Sequence, residues 1–523
     1  MLPGLLVRVP ISKVPALRPG LRPATLCFRP ASPGGCVALP GGFVLSPDAD
    51  PCPCRFFQVP QPNLLAYAML LVWPFVAWQL YRRLDPARAL IWTVLAGYLV
   101  LPPATRFDFP VIPDFDKDSL PVLTALALAL FLLKDRIGVL PSGGLGRMLI
   151  LFFILSPFFT VLTNTDPIPV LSGNDIPGMK IYDSVAAVTN HFIYALPLFL
   201  GRRYLATPQA AQALLVALVA GGLAYSLPML IESRLSPQMN VWVYGFFQHD
   251  FFQTIRAGGY RPVVFLPHGL WVAMFALMSL AAAAVFLRLG PAEARPKQLV
   301  VFLYLALMLV ICKSLGVMVY AMAMLPLILL APRRWQVLAA AAVAVIVMVY
   351  PILRGAHVVP LDTILDMAQG LSADRAWSLQ FRIQNEELLL VRAEERPWFG
   401  WGGYARNFLH DPITGEATTI ADGAWIIQIG TFGWLGYLAE FGLLCLPLWL
   451  LGREALVQPS AAFPPAVAGL ALIFGFNMLD LLPNGTLVPL SWLIAGCLLG
   501  QAEALRAARK AAAPHGAPVR TVI

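Results

Sequence analysis

The sequence predicts an all-α protein, a polytopic transmembrane bundle of about 12–13 spans with two long loops that contain short helices. Three observations predict it. Hydrophobic residues make up 59% of the 523 residues and charged residues only 12%, against about 25% charged in soluble domains. Apolar runs long enough to cross a bilayer follow one another from residue 63 almost to the C-terminus. Basic residues fall in alternate connections between those runs. Together these exclude a soluble enzyme, a disordered chain and a nucleic-acid-binding protein. The net charge of +9 is accounted for by basic loops on one side of a membrane.

Residues 1–62 are rich in Pro, Gly and Arg, have no helical or strand period and lack the apolar core of a signal peptide. They read as a disordered tail, or as a start assigned too far upstream. Cys27, Cys36, Cys52 and Cys54 lie there, and Cys52-Pro-Cys54 is too tight for a zinc site. Spans are expected near 63–81, 88–104, 119–133, 147–164, 184–201, 210–231, 262–287, 298–313, 315–331, 335–353, 424–450, 464–482 and 486–504. The stretch 298–331 is broken at Lys313-Ser314-Leu315-Gly316 and reads as two short helices joined by a tight turn. Cys312, Cys445 and Cys497 sit in apolar runs, as inert packing residues do. A cytoplasmic tail, 505–523, follows the last span.

If the first span ends inside, the inner connections hold 18 basic residues and the short outer ones four: Arg106, Lys117, Lys180 and Lys313. That orientation satisfies the positive-inside rule at every turn. It leaves two long loops outside, at about 232–261 and 354–423, rich in Trp, Tyr, Phe and Arg. Loops of this length are commonly functional, so the chemistry is sought there.

The first loop ends Arg256-Ala-Gly-Gly-Tyr-Arg261, followed by Pro267-His268-Gly269. Arg261 falls at the mouth of the next span, where a guanidinium offers a planar fork for phosphate or diphosphate. It can equally snorkel to lipid phosphates. His268 is expected about two turns inside the span, where a histidine on an apolar face is by default a core residue. The second loop predicts a helix over about 374–395, capped by Ser372 or Asp374 and stopped by Pro397. Trp377, Phe381, Leu388 and Val391 form an apolar stripe suited to the membrane surface or to the other loop. Arg382 and Glu386 are four apart on one face: either an ordinary surface pair, or an Arg held by a carboxylate toward a phosphate.

Next comes Pro397-Trp-Phe-Gly400-Trp401-Gly402-Gly403-Tyr404, which reads as a tight turn with Trp401 and Tyr404 as aromatic walls for sugar rings. His410-Asp411 and Asp422-Gly423 follow, the latter opening a span. Asp422 is a candidate site residue by that position, although a carboxylate also suits a helix N-terminus.

With Gly-Gly-Tyr-Arg261, Pro267-His268-Gly269, Ser314-Leu-Gly316, Arg382 and Pro397-Trp-Phe-Gly400-Trp-Gly402 in place, residues 180–450 resemble the O-antigen ligase and polymerase superfamily. Its members are bacterial inner-membrane proteins with about a dozen spans. They act at the periplasmic face on undecaprenyl-diphosphate-linked glycans. The ligase branch carries a His, a polar residue, nine further residues and Gly-x-x-Gly at the start of a late span. Here Asp422-Gly423 precedes Gly433-Trp-Leu-Gly436 at that spacing, with Asp in place of His. The departure favours a polymerase of O-antigen, capsule or exopolysaccharide repeats over a lipid A-core ligase.

The resemblance implies metal-independent glycosyl transfer without a cofactor, Arg261 and Arg382 neutralising the leaving diphosphate. Arg carries its charge at any working pH. The candidates for activating the acceptor hydroxyl are Asp422, then His410, then Glu387. Arg256, His268, Trp401, Tyr404 and Lys313 are candidate substrate contacts. The implied partners are the lipid-linked donor and the lipid bilayer, with a chain-length regulator and a flippase as partner proteins. The rival classes are a transporter or flippase and a non-catalytic assembly partner. Spans nearly free of charge except at Lys313 and their ends, with no internal repeat, argue against transport.

Overall fold

In a computed structural model of the protein, the described residues are 61–109, 112–171, 173, 175–256, 258–371 and 373–512. The expectations for the N-terminal tail, its four cysteines and the Ser372 cap lie outside them. The described chain is mostly helical. It opens with α1 (Leu64–Arg83) and α2 (Pro86–Val100). The hairpin β1 (Arg106–Phe109) and β2 (Ile112–Asp116) leads to α3 (Ser119–Phe131), α4 (Gly144–Leu162), α5 (Ile181–Tyr204) and α6 (Pro208–Leu235). A short helix, α7 (Met239–Tyr244), and the hairpin β3 (Ile255–Arg256) and β4 (Gly259–Tyr260) precede α8 (Gly269–Leu289). Then come α9 (Arg295–Ile311), α10 (Leu315–Leu330) and α11 (Arg333–Gly355), the loop helices α12 (Leu361–Leu371) and α13 (Ala373–Glu394), and α14 (Ala424–Val457), α15 (Pro465–Asp480) and α16 (Pro489–Ala512).

Each of the thirteen expected spans overlaps a helix, the seventh beginning at Gly269 instead of residue 262. Among the described residues eight helices are long and apolar enough to cross a membrane, and α2, α3, α10 and α15 are shorter apolar helices. This is the architecture of an all-α polytopic membrane protein. The helix starts are written in the sequence. Asn63 Oδ1 accepts from Ala66 N at 3.0 Å. Asp85-Pro86 and Thr207-Pro208 place a capping side chain before a proline whose missing N–H costs the first turn nothing. The break after α9 is real: Lys313 takes a φ of 51° between α9 and α10.

The core sits along α8, α15 and α16, whose apolar residues are almost all buried. α16 packs along α5, α11 along α14 and α15, and α4 against α5 and α14. Outward faces of α1, α9 and α10 expose Leu71, Phe75, Leu303, Leu307, Val319 and Met322, as helices bordered by lipid do. Cys312, Cys445 and Cys497 are buried free thiols. One expectation fails inside the bundle. The spans are not free of charge away from their ends, because Glu440 lies midway along α14. It lines a cavity of about 180 Å³ together with Asp118, Tyr194 and Trp492.

α14 is broken at Gly433, with φ 66° and ψ −169°. The gap is filled by the backbone of 397–402. Trp401 N donates to Gly430 O at 2.8 Å and Gly402 N to Thr431 O at 2.9 Å, while Trp434 N donates to Pro397 O at 2.7 Å. Non-helical backbone inside a bundle survives where protein groups satisfy it, and here a neighbouring loop does so. A Cβ at Gly433 would lie 2.4 Å from the Trp398 carbonyl carbon, and one at Gly400 (φ 67°) 2.5 Å from the Thr431 carbonyl. Both positions therefore require glycine. α4 secures the same loop through Thr160 Oγ1 to Phe399 O, 2.7 Å, and Asn164 Nδ2 to Gly400 O, 2.9 Å.

Candidate functional site

Residues 262–268 look apolar enough to extend the following helix, but they form a pinned loop. Glu232, in the last turn of α6, accepts from the amides of Val263 and Val264 at 2.8 Å each and of Met239 at 2.9 Å. Gln248 Nε2 donates to Val264 O and Leu266 O at 3.0 and 2.9 Å. Buried Lys117 donates to Leu101 O at 2.9 Å and Phe265 O at 2.5 Å. This corrects the expected position of His268. It is not two turns inside the span but is the residue that caps α8, its Nδ1 accepting from Leu270 N at 3.1 Å. That contact makes Nδ1 the unprotonated nitrogen and leaves the proton on Nε2. The ring lies 4.4 Å from that of His249, centroid to centroid.

Arg261 is only 5% exposed. Its Nε and Nη2 are buried and have no hydrogen-bond partner among the described residues. Its aliphatic stem runs so close over Gly269 that a Cβ there would meet Arg261 Nε at 2.6 Å. Burial pushes this guanidinium down to about 10, with the charges of Arg256 and Arg382 acting in the same direction. It remains charged at neutral pH. Lys313 donates from Nζ to the Arg256 carbonyl at 3.0 Å, which ties the β3–β4 hairpin to the α9–α10 turn.

Arg382, on α13, is within electrostatic reach of both Arg261 and His268. Its carboxylate partner is not Glu386, as the i,i+4 spacing implied, but Asp422 at 3.2 Å, both side chains about one-third exposed (34%). Arg382 Nη1 also donates to Asn484 Oδ1 at 3.3 Å. Asn484 is held in turn by Asp480 at 2.9 Å, and Thr486 donates to the other oxygen of Asp480 at 2.8 Å. The end of α15 thus fixes the orientation of Arg382.

Glu386 and Glu387 serve another arginine that sequence reasoning missed. Arg354, in the last turn of α11, is 2% exposed. It meets Glu387 at 3.1 Å, Glu386 at 3.9 Å and the carbonyl of Ile383 at 3.4 Å. In sequence it looks like any Arg at a span end, and only the packing of α13 across it reveals the clamp. Burial raises Glu386 to about 7, with Arg354 opposing. Glu387 therefore holds α13 to the bundle rather than facing Arg261 and Arg382.

Trp401 is 7% exposed, with Arg392 at 3.3 Å and Arg396 at 4.4 Å from its ring centroid, and its Nε1 donates to Arg392 O at 2.8 Å. It is packing and cation–π core, not an open sugar wall. Tyr404 is exposed and donates to Asp183 at 2.9 Å, on α5. His410 pairs with Ala417 as an isolated bridge and feels the charge of Arg392. Among the described residues no hydrogen bond or ion pair joins it to Arg261, Arg382 or Asp422.

The apolar stripe of α13 is open, not covered by the first loop: Trp377, Phe381, Leu388 and Val391 are all exposed. The structure therefore gathers Arg256, Arg261, His268, Lys313, Arg382 and Asp422 at one end of the bundle, and sends Glu387, Trp401, Tyr404 and His410 to structural or peripheral places. Glu232, Lys117 and Asn484 join the site as its supports. Such an arrangement can bind a polyanion: three guanidinium groups and an ammonium converge, with one carboxylate among them. Among the described residues no group of three or more His, Cys, Asp or Glu side chains could hold a metal ion. No known family model matches the chain, and no curated protein matches it.

Proposed function

We propose that the protein is a glycosyltransferase of the O-antigen polymerase type. It would sit in the bacterial inner membrane and act at the periplasmic face on undecaprenyl-diphosphate-linked repeat units. The observation that carries this reading is Arg261: a buried guanidinium with two unpartnered nitrogens, beside a second arginine held in place by Asp422 and Asn484. Buried cations are normally paired, so Arg261 is arranged for an anion that arrives. A diphosphate supplies two adjacent charges to match two fork-shaped donors.

In the transfer, an acceptor hydroxyl attacks the anomeric carbon of the donor sugar. The bond to the diphosphate breaks, its electron pair leaves with the diphosphate, and the hydroxyl proton passes to a base. Arg261 and Arg382 stabilise the charge that develops on the diphosphate. Asp422, beside Arg382, is the first candidate for the base. The exposed stripe of α13 would lie on the membrane surface, alongside the lipid carrier.

The test is a surface-glycan and lipid-extract profile from a deletion strain complemented with wild type or Arg382→Ala. Single repeat units on the carrier, with the variant protein present in the membrane, support a polymerase. Full-length polymer that stays on the carrier supports the ligase alternative. Wild-type chain lengths from Arg382→Ala would refute both. A second reading, a lipid-linked glycan transporter or flippase, is favoured by Glu440, because an intramembrane carboxylate at a cavity is a transport feature. It expects Glu440→Gln to lose surface glycan of every length, with unextended units retained on the cytoplasmic side.

A further inference from the structure

At the opposite end of α14 from Asp422 lies a cavity of about 560 Å³ between the ends of α4, α14 and α16. One wall is apolar, formed by Leu446, Trp449 and Leu450. The rim is basic, with Arg453, Arg506 and Arg509. Two acidic residues also line it, but both are already engaged. Glu454 is held by Arg509 through a forked pair at 2.7 and 3.1 Å. Glu503 is held by Arg202 at 2.7 Å and by Ser142 N and Oγ at 2.7 and 2.8 Å. Arg453 and Arg506 thus form no ion pair at contact distance among the described residues, although Arg506 is within electrostatic reach of Glu454. Arg453 only lies over the Trp449 ring, at 5.6 Å.

We infer that this cavity is a binding site for an anionic phospholipid, its head-group phosphate between Arg453 and Arg506 and its upper acyl chain along Leu446, Trp449 and Leu450. The charge balance selects an anion, because each lining carboxylate already has an arginine at ion-pair distance while Arg453 and Arg506 have no carboxylate at that distance. The apolar wall selects a lipid over a free anion, because inorganic phosphate would leave that wall wet. The position fits as well: the cavity opens where three apolar helices reach their charged ends, the depth at which head groups lie. Basic pockets between helix ends are a recurrent mode of head-group recognition.

The full-length protein is purified in a neutral detergent. Its thermal midpoint is followed during titration with dioleoylphosphatidylglycerol, with dioleoylphosphatidylcholine or with inorganic phosphate. Phosphatidylglycerol is expected to give a saturable rise at a concentration at least about tenfold lower than phosphatidylcholine. Arg453→Gln/Arg506→Gln is expected to weaken that response about tenfold, while Arg82→Gln/Arg83→Gln, at a different basic helix end, leaves it unchanged. If the double variant is unstable without lipid, Arg453→Gln alone takes its place, since that side chain contacts only Trp449 among the interactions described. Equal responses to the two lipids, an undiminished response in the variant, or a matching response to inorganic phosphate would overturn the assignment.

Discussion

Arg382 Nε lies 3.2 Å from Asp422 Oδ2, across 40 residues of chain and between the loop helix α13 and the mouth of α14. Both groups are partly exposed, so the pair contributes little to stability, under about 1 kcal/mol. Its value is in orientation. On the proposed glycosyl transfer, Arg382→Ala is expected to lower glycan extension by about 10²–10³-fold, the usual loss for one donor to a developing charge. Arg382→Lys should lose nearly as much, because an ammonium cannot replace a planar fork. Unfolding midpoints should barely move. The check is chain length on gels, alongside thermal unfolding of the purified variants.

Arg354→Ala should behave in the opposite way. It removes the cation that Glu386 and Glu387 share and leaves a buried carboxyl without its partner. Breaking a buried pair from one side costs about 3–5 kcal/mol. The loss should appear as a lowered unfolding midpoint and faster proteolysis within α13. Glu387→Gln, which leaves Glu386 and the Ile383 carbonyl in place, should be much milder. Full loss of glycan extension in Glu387→Gln at normal stability would return that residue to the catalytic candidates.

Glu386 predicts a pH dependence with a definite sign. Burial raises its carboxyl to about 7 in the folded protein, against about 4.5 for the ordinary group. The folded state therefore binds the proton more tightly than the unfolded one. The stabilisation from this group is fully present below the ordinary value and is lost as pH rises toward about 7. Unfolding measured across that interval should show a falling component that Glu386→Gln abolishes. The same slope in the variant would mean that another group titrates.

Gly433→Ala is expected to destabilise the bundle by about 3 kcal/mol or more, since the new Cβ would meet the Trp398 carbonyl at an unfavourable φ. Gly400→Ala should cost a similar amount, and the two together less than the sum, because both disrupt one seam. Thermal unfolding of the singles and the double forms the cycle that checks this.

The spans were legible because hydropathy along the chain reports burial in lipid directly, and the α9–α10 break because Lys313-Ser314 interrupts an apolar run. α13 was legible from its period and from Pro397. Arg261 and Arg382 were found by residue type and position. The partners of Arg382 were not, because Asp422 and Asn484 reach it across about 40 and 100 positions, and Glu232 reaches the loop after Arg261 across about 30, which no local spacing encodes. The i,i+4 rule pointed Arg382 to Glu386, but a nearby buried Arg354 outcompetes it. His268 was misplaced because apolar residues 262–267 read as helix, while the side chains of Glu232, Gln248, Lys117 and Tyr225 withdraw their backbone groups into a loop. Trp401 was misread because composition does not distinguish an aromatic that faces a ligand from one stacked under two arginines.

The seam between 397–402 and the break at Gly433 has a consequence for how the protein is made. The loop emerges from the ribosome before α14, so the groups that satisfy the break are already made when that helix enters the membrane. α14 meets lipid as a nascent segment whose 430–435 backbone needs a partner from outside the helix. Its insertion and the docking of the preceding loop are then one event, and a chain with that loop excised should be cleared by quality control rather than persist as an inactive bundle.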